Sequence, residues 1–294
     1  MVERAQHRPL PGPSGAPEKY IPYDKRKLSY SGTYTDPKKV YTIRALEWMT
    51  GKMKLLRLVR KFERMGTRDG VEFFAQALEV MGIDLVTPPE IVDKIPATGP
   101  LIVVANHPHG MVDGMVMAAL VGRKRDDFLI LTRSLLTGIK EIRQFMLPVP
   151  FPHEDNALAE SLQMRKKSMD HLKNGGVIIL FPAGAVASAP TMLGRAVEKE
   201  WNPFTAKMIA RSGAAVLPIF FPGQNSRLYL MADRLSATLR QGLLLHEVVH
   251  ALNKPQRPVV GDPLDPEELK KWRDNPRGFM AWLRQHTLDL GNQG

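Results

Sequence analysis

The chain has 294 residues, 44% of them hydrophobic, which is enough for one large core, and its lack of cysteine excludes a disulfide scaffold and fits a reducing compartment. Its 41 Lys and Arg against 30 Asp and Glu give a formal charge of +11, which draws the protein to a polyanion, either nucleic acid or an anionic membrane. No apolar run is long enough to span a bilayer, and Met1–Pro13 lacks the apolar core of a secretory signal, so the expected place is the cytoplasmic side.

Residues 1–37 are rich in Pro, Gly, Ser and Tyr and read as an irregular arm. Across 38–66 the basic residues Lys38, Lys39, Arg44, Lys52, Lys54, Arg57, Arg60, Lys61 and Arg64 outnumber Glu47 and Glu63. Among them Val40, Ile43, Leu46, Trp48, Met49, Met53, Leu55, Leu56, Leu58, Val59 and Phe62 fall at spacings of a helical apolar face. The segment reads as one long helix or a helix pair. A basic amphipathic helix with Trp, Leu and Phe opposite its charges suits the surface of an anionic membrane, and the plainer alternative is a helix packed on the core with a charged outer face.

A helix over Val71–Met81 and a short strand over Ile83–Val86 follow, then a connection bracketed by Thr87-Pro88-Pro89 and Ala97-Thr98-Gly99-Pro100. Leu101–Val104 reads as a buried strand and Phe128–Leu131 as the next. Ala157–Leu172 reads as a helix stopped by Lys173-Asn174-Gly175-Gly176. Val177–Phe181, Ala215–Phe220 and Arg257–Val260 supply further strands, with a helix over Pro203–Ser212 between the first two. This alternation predicts an α/β fold with a largely parallel central sheet flanked by helices, in a single domain over 38–294.

The richest stretch is Ala105-Asn106-His107-Pro108-His109-Gly110-Met111-Val112-Asp113-Gly114, directly after the strand Leu101–Val104. A buried strand ending in a turn that carries histidines, with a carboxylate shortly after, has the parts of an acid–base site. Pro108 and Gly110 allow a sharp turn before a helix that starts near Met111 or Val112. Spacing does not choose the base: His109 and Asp113 are four apart and share a helix face if the helix starts early, whereas His107 needs the turn to reach Asp113. Further on, Pro182-Ala183-Gly184-Ala185 lacks bulky side chains, so its backbone N–H groups can approach an oxyanion or phosphate. Asn225-Ser226 is similarly placed after a strand, to contact a substrate or to close a turn.

The Asn106–Gly114 segment resembles the first motif of the glycerolipid acyltransferase superfamily, of the lysophosphatidate type. Val177–Ser188 resembles its third motif and Ala215–Tyr229 its fourth, in the same order, so the similarity runs from about Pro96 to Pro263. The resemblance implies that His107 is the general base and that Asp113 orients it. It also implies that the substrates, a fatty acyl thioester of acyl carrier protein or coenzyme A and a lyso-lipid alcohol, lie near Asn106, His109, Gly110, Arg133, Phe181, Pro182, Gly184, Ala185, Asn225 and Ser226. No metal or further cofactor is implied, and the expected location is peripheral, on the cytoplasmic face of the cell membrane.

Three departures bear on the acceptor. Five residues rather than four separate His107 from Asp113, as in the subgroup related to ornithine-lipid acyltransferases, and Ala183-Gly184-Ala185 replaces the Glu-Gly-Thr core of phosphatidate-making enzymes. Around Pro148-Val149-Pro150-Phe151-Pro152 no Arg stands ready for an acceptor phosphate, leaving Arg133, Arg143, Arg165 and Lys166 as substitutes. The resemblance thus implies a lyso-aminolipid, of the ornithine-lipid kind, or a lysophospholipid.

Three rival readings stand beside this one. His246-Glu247-Val248-Val249-His250 matches the His-Glu-x-x-His pattern of zinc proteases, but the following Ala251-Leu252-Asn253-Lys254-Pro255 supplies no third ligand, leaving only Glu267 or Glu268. A second alternative is a peripheral membrane protein that has lost its chemistry, against which the intact His107 and Asp113 weigh. A nucleic-acid-binding module rests on charge alone, with no reader motif, and nucleic acid is not expected as a partner.

Overall fold

The computed structural model describes residue 24 and residues 28–132, 139–150 and 156–292. Arg133, the Phe151-Pro152 end of the second-motif segment and most of the 1–37 arm lie outside the described residues.

In chain order the helices are α1 (Pro37–Thr50), α2 (Lys52–Arg64), α3 (Glu72–Val80), α4 (Pro89–Asp93), α5 (Met111–Val121), α6 (Ala157–Lys173), α7 (Pro203–Ser212), α8 (Arg227–Leu235), α9 (Ala237–Gly242), α10 (Leu244–Ala251), α11 (Pro266–Leu269) and α12 (Pro276–Asp289). The strands β1 (Leu101–Ala105), β2 (Phe128–Thr132), β3 (Met146–Pro148), β4 (Val177–Leu180), β5 (Ala215–Phe220) and β6 (Val259–Val260) form one sheet in the order β3-β2-β4-β1-β5-β6. Only the β5–β6 pair is antiparallel, so the fold is the expected α/β arrangement around a largely parallel sheet.

Both faces of the sheet are covered, which is why its strands are continuous apolar runs. Leu101, Val103 and Ala105 of β1 point into a core shared with α3 and α5, and Ile102 and Val104 into a second core shared with α7 and α12. The chain leaves β1 through α5 to reach β2, beyond β4, but leaves β4 through α7 to reach β5, beyond β1. Because α5 and α7 lie in different cores, the two crossovers leave the sheet on opposite faces, the arrangement that in such folds opens a crevice at the carboxyl ends of the strands concerned, here β1 and β4.

The elements depart from the sequence pattern in four places. The basic segment takes the helix-pair form of its two readings, divided at Gly51, where a Cβ would stand 2.7 Å from Val249 Cγ2, so the missing side chain lets α10 approach. Its apolar residues do not form one membrane-facing stripe: α1 buries Ile43 and exposes Tyr41, Trp48 and Met49, while α2 buries Leu55 and Leu56. Ile83–Val86 is not a strand; only Leu85 bridges to Gln256, and Pro88 and Pro89 offer no N–H to extend the ladder. Arg257–Val260 shrinks to β6, and β3 is an unanticipated edge strand of three residues, too short for a periodic signal and closed by Pro148. Among the described residues no helix is long and apolar enough to cross a membrane.

The start of the described chain is fastened by Glu47 of α1, which is fully buried. Its carboxylate accepts from Ser29 Oγ and from Tyr30 N, both at 2.7 Å, and lies 3.6 Å from Lys52 Nζ. Glu47→Ala leaves that N–H without its acceptor and the buried ammonium without its anion. The expected cost is about 3 kcal/mol of unfolding free energy, measurable by urea denaturation.

Candidate active site

The first-, third- and fourth-motif segments leave β1, β4 and β5, three adjacent strands, so their ends meet at one edge of the sheet. Asn106, just past β1, is buried and clamps that edge: Nδ2 donates to Phe221 O at 2.8 Å and Phe221 N donates to Oδ1 at 2.7 Å. Its amide therefore joins two strand ends and is not turned toward a substrate.

The chain then turns through Pro108 and His109 to Gly110, whose φ of +68° is one that L side chains rarely adopt. The turn brings Asp113, in the first turn of α5 and fully buried, against both histidines. Asp113 Oδ2 lies 3.1 Å from His107 Nδ1, Oδ1 lies 3.0 Å from His109 Nδ1, and Oδ2 also accepts from His109 N at 2.7 Å. Burial pushes the Asp113 carboxyl up, but the bonds from both imidazoles and their charges outweigh it and hold its pKa below the ordinary value. Burial likewise pulls His109 down, yet the bond and charge of Asp113 win and keep it above its ordinary value. An ionised carboxylate only accepts, so each Nδ1 carries a proton and each Nε2 is the outward nitrogen.

The two imidazoles differ in their surroundings. His107 stacks on Phe181, just past β4, with centroids 3.8 Å apart and planes 20° apart. Its carbonyl accepts from Ala187 N at 2.9 Å, and no hydrogen bond engages its Nε2 among the described residues. His109 Nε2 abuts Gly223, where a Cβ would stand 2.9 Å away, so that nitrogen is closed in. His107 therefore presents a stacked, carboxylate-held ring whose Nε2 has no partner among the described residues, a geometry suited to a general base.

Sequence reasoning missed Glu198. Its Oε2 accepts from His107 N at 3.0 Å and its Oε1 from Trp201 Nε1 at 3.0 Å, while Arg284 of α12 donates to the carbonyls of Glu198 and Lys199. Burial holds the Glu198 carboxyl above its ordinary value, partly offset by these N–H donors. The only cue in the sequence is Val197-Glu198 ahead of Trp201, whose indole N–H needs a partner when buried.

The remaining candidates divide into open and committed groups. In the turn Phe181–Gly184, Pro182 has no N–H and Gly184 donates to Phe181 O at 2.9 Å, so the backbone cradle reduces to Ala183 and Ala185, whose N–H groups have no acceptor among the described residues. Ser226 is committed to structure: it caps α8 and gives Glu247 two bonds, at 2.6 Å from Oγ and 2.7 Å from N. Asn225 is buried, and its Nδ2 has no partner among the described residues. Arg143 and Lys166 are exposed and Arg165 lies over the Phe204 ring, 4.9 Å from its centroid, so none of the three is shown beside His107.

The bonds to Ser226 also occupy the Glu of the His-Glu-x-x-His pattern, and His246 Nδ1 lies 3.2 Å from Thr50 O. Among the described residues no group of three His, Asp or Glu is placed to hold a metal ion. Cavities of about 480 Å³, beside Asp69, Asp127 and His171, and about 580 Å³, between α7 and α11, contain neither His107 nor Asp113.

The shared carboxylate gives a pH signature. With its folded pKa above the ordinary 6.5, His109 contributes stability that is full below that value and fades as pH rises through the folded pKa. Asp113, held below the ordinary 3.8, contributes above that value and loses its share as pH falls through its folded pKa. His109→Gln is expected to cost most stability at a pH of about 5 and progressively less toward alkaline pH, as read by denaturant titration. A cost independent of pH contradicts the arrangement. In NMR titrations the pKa of His109 should fall in Asp113→Asn.

No curated protein sequence matches the chain. Among solved structures it is similar to the 1-acyl-sn-glycerophosphate (LPA) acyltransferase of Thermotoga maritima, at 17% identity and a TM-score of 0.46, over 89% of this chain and 85% of that one. The model of the acyltransferase family matches residues 40–260, a span that holds β1 to β6 with His107, Asp113 and Glu198, and the chain belongs to that family.

Proposed function

We propose that the protein moves a fatty acyl group from a thioester of acyl carrier protein or coenzyme A to the hydroxyl of a lyso-lipid. The observation that carries this reading is His107, its Nδ1 on Asp113 and its Nε2 free at the crevice between β1 and β4, in a chain of the acyltransferase family. His107 Nε2 takes the hydroxyl proton as the oxygen attacks the thioester carbonyl. The tetrahedral intermediate collapses by breaking the C–S bond, and the thiolate leaves with the proton that His107 returns. Asp113 carries the positive ring between these two transfers. The N–H groups of Ala183 and Ala185 are the available donors for the oxyanion or for a headgroup.

The acceptor reading follows from what surrounds this base. No carboxylate stands at Ala183-Gly184-Ala185, and Arg143, Arg165 and Lys166 are exposed or engaged elsewhere. This favours a lyso-aminolipid of the ornithine-lipid kind, or another lysophospholipid, over lysophosphatidate. A lipid acceptor and a charge of +11 suit a protein held peripherally on an anionic cytoplasmic leaflet, where each Lys or Arg near the surface contributes about 1 kcal/mol.

The decisive assay offers purified protein a panel of lyso-lipids with both donor types. Ester formation is expected with a lyso-aminolipid, with lysophosphatidate a poor acceptor, and His107→Ala should lower turnover by about 10²–10⁴-fold. Full activity in His107→Ala removes the mechanism, and a clear preference for lysophosphatidate removes the acceptor reading. Glu198 acts only through the His107 backbone, so Glu198→Gln, which keeps an acceptor, should retain most of kcat. Glu198→Leu should lower kcat about tenfold or more with little change in KM, because it leaves the N–H of the base unpaired.

A further inference from the structure

The helix that follows the fourth-motif segment has an unusual outer face. On α8, Tyr229, Leu230 and Ala232 are buried, while Leu228, Met231 and Leu235 are 51%, 37% and 67% exposed. Arg227 and Arg234 are exposed on the same helix. Positions 227, 228, 231, 234 and 235 recur at helical spacing and form one stripe of bulky apolar side chains flanked by guanidiniums. Its single acid, Asp233, is taken up by Arg240 at 3.1 Å.

A loop continues this surface. Ser188 and Val197 close it by an antiparallel bridge, and at its crest Leu193 is 81% exposed, beside Met192 at 38% and the exposed Arg195. The loop contains no acid from 189 to 197. It is fixed to α8, since Arg227 Nη1 donates to the carbonyls of Leu193 and Gly194, and Gln224 Oε1 accepts from Ala196 N. Both pieces are fixed to the site as well. Ala187, at the foot of the loop, donates to His107 O, and Gly223, just ahead of α8, abuts His109.

We infer that the stripe on α8 and the crest of the 188–197 loop form a surface that lies on an anionic lipid bilayer and sets the catalytic crevice at the level of the leaflet. The apolar tips enter the headgroup–acyl boundary while Arg195, Arg227 and Arg234 pair with lipid phosphates. The surface is separate from the basic helices α1 and α2, although α9 packs against both α1 and α8 and so couples the two regions. It rests on the lipid-acceptor reading for its purpose: a lyso-lipid then enters the site from the leaflet without crossing water. Charge favours the bilayer as occupant, because the exposed cations Arg195, Arg227 and Arg234 flank the apolar stripe and the one acid of α8 is paired with Arg240.

The chain has no cysteine, so single cysteines can be labelled cleanly in the full-length protein. Leu193→Cys, Leu228→Cys and Leu235→Cys would each carry an environment-sensitive fluorophore, with Leu158→Cys, 76% exposed on α6, as the comparison. On phosphatidylcholine vesicles containing phosphatidylglycerol and spin-labelled lipid, blue shift and quenching are expected at 193, 228 and 235 and not at 158. The double substitution Leu228→Ser with Leu235→Ser should weaken vesicle binding by about tenfold or more without lowering the melting temperature. Quenching at 228 and 235 no greater than at 158 overturns the proposal. So does shielding of these labels, without vesicles, by purified acyl carrier protein or by raised protein concentration, which would make a carrier or a second copy the occupant. The quenching needs no turnover, so its failure is distinguishable from failure of the acyl-transfer reading.

Discussion

The buried carboxylate of Asp113 is the constraint on which the site depends. Taking an ion of this kind out of water costs several kcal/mol unless its oxygens are filled by donors. Here the donors are two imidazoles and the N–H of His109, all supplied by the turn between β1 and α5. The first turn of α5 adds the positive end of its dipole. Satisfying the charge therefore requires both rings to face inward by Nδ1, which leaves both Nε2 atoms outward. The turn and the orientation of both rings are fixed by the same hydrogen bonds.

Why one of the two rings is singled out follows from the sheet. His107 leaves the central strand beside β4, so Phe181 comes under its ring and Glu198 and Ala187 hold its backbone on both sides. His109, two residues later, has turned toward β5 and meets Gly223. The Asn106–Phe221 clamp fixes the spacing between those strand ends at a point where side chains alone would leave play. In the proposed role as a base the ring must be held to fractions of an ångström, and the backbone bonds around His107 supply that hold.

Much of this was legible in the sequence because the determining signals were local. Leu101–Ala105 and Val177–Leu180 are buried on both faces and read as apolar runs, and Pro108 with Gly110 announces a turn ahead of a helix. The choice between His107 and His109 was not legible from spacing, and in the structure both reach Asp113. Contacts made across long stretches of chain were invisible. Glu198 meets His107 and Arg284 only after folding, Asn106 finds Phe221 across two strands, and Glu247 turns from the zinc pattern to Ser226 because α8 starts beside α10. The apolar residues of 38–64 misled for a related reason. Periodicity places them on one apolar face, whereas the two helices, meeting at Gly51 against Val249, divide them between core and surface.

The position of Glu198 bears on how the chain manages without a carboxylate at Ala183. After Phe181 and Pro182 the turn carries only the small residues Ala183, Gly184 and Ala185, and besides Asp113 the acid next to His107 is Glu198, which lies beyond the 188–197 loop and accepts from the His107 backbone N–H. Burial raises the pKa of that acid, and its two oxygens are occupied by His107 N–H and the Trp201 indole, so its role is support. Among the described residues the turn after β4 offers the backbone N–H groups of Ala183 and Ala185 and no carboxylate. In the proposed reaction no guanidinium or ammonium among the described residues is shown to fix a phosphate there, in keeping with lysophosphatidate as a poor acceptor, and selection passes to whatever delivers the lipid to the crevice. In this chain the candidates for that task are its basic, apolar-tipped surfaces, so substrate choice and membrane contact are expected to be governed by the same residues.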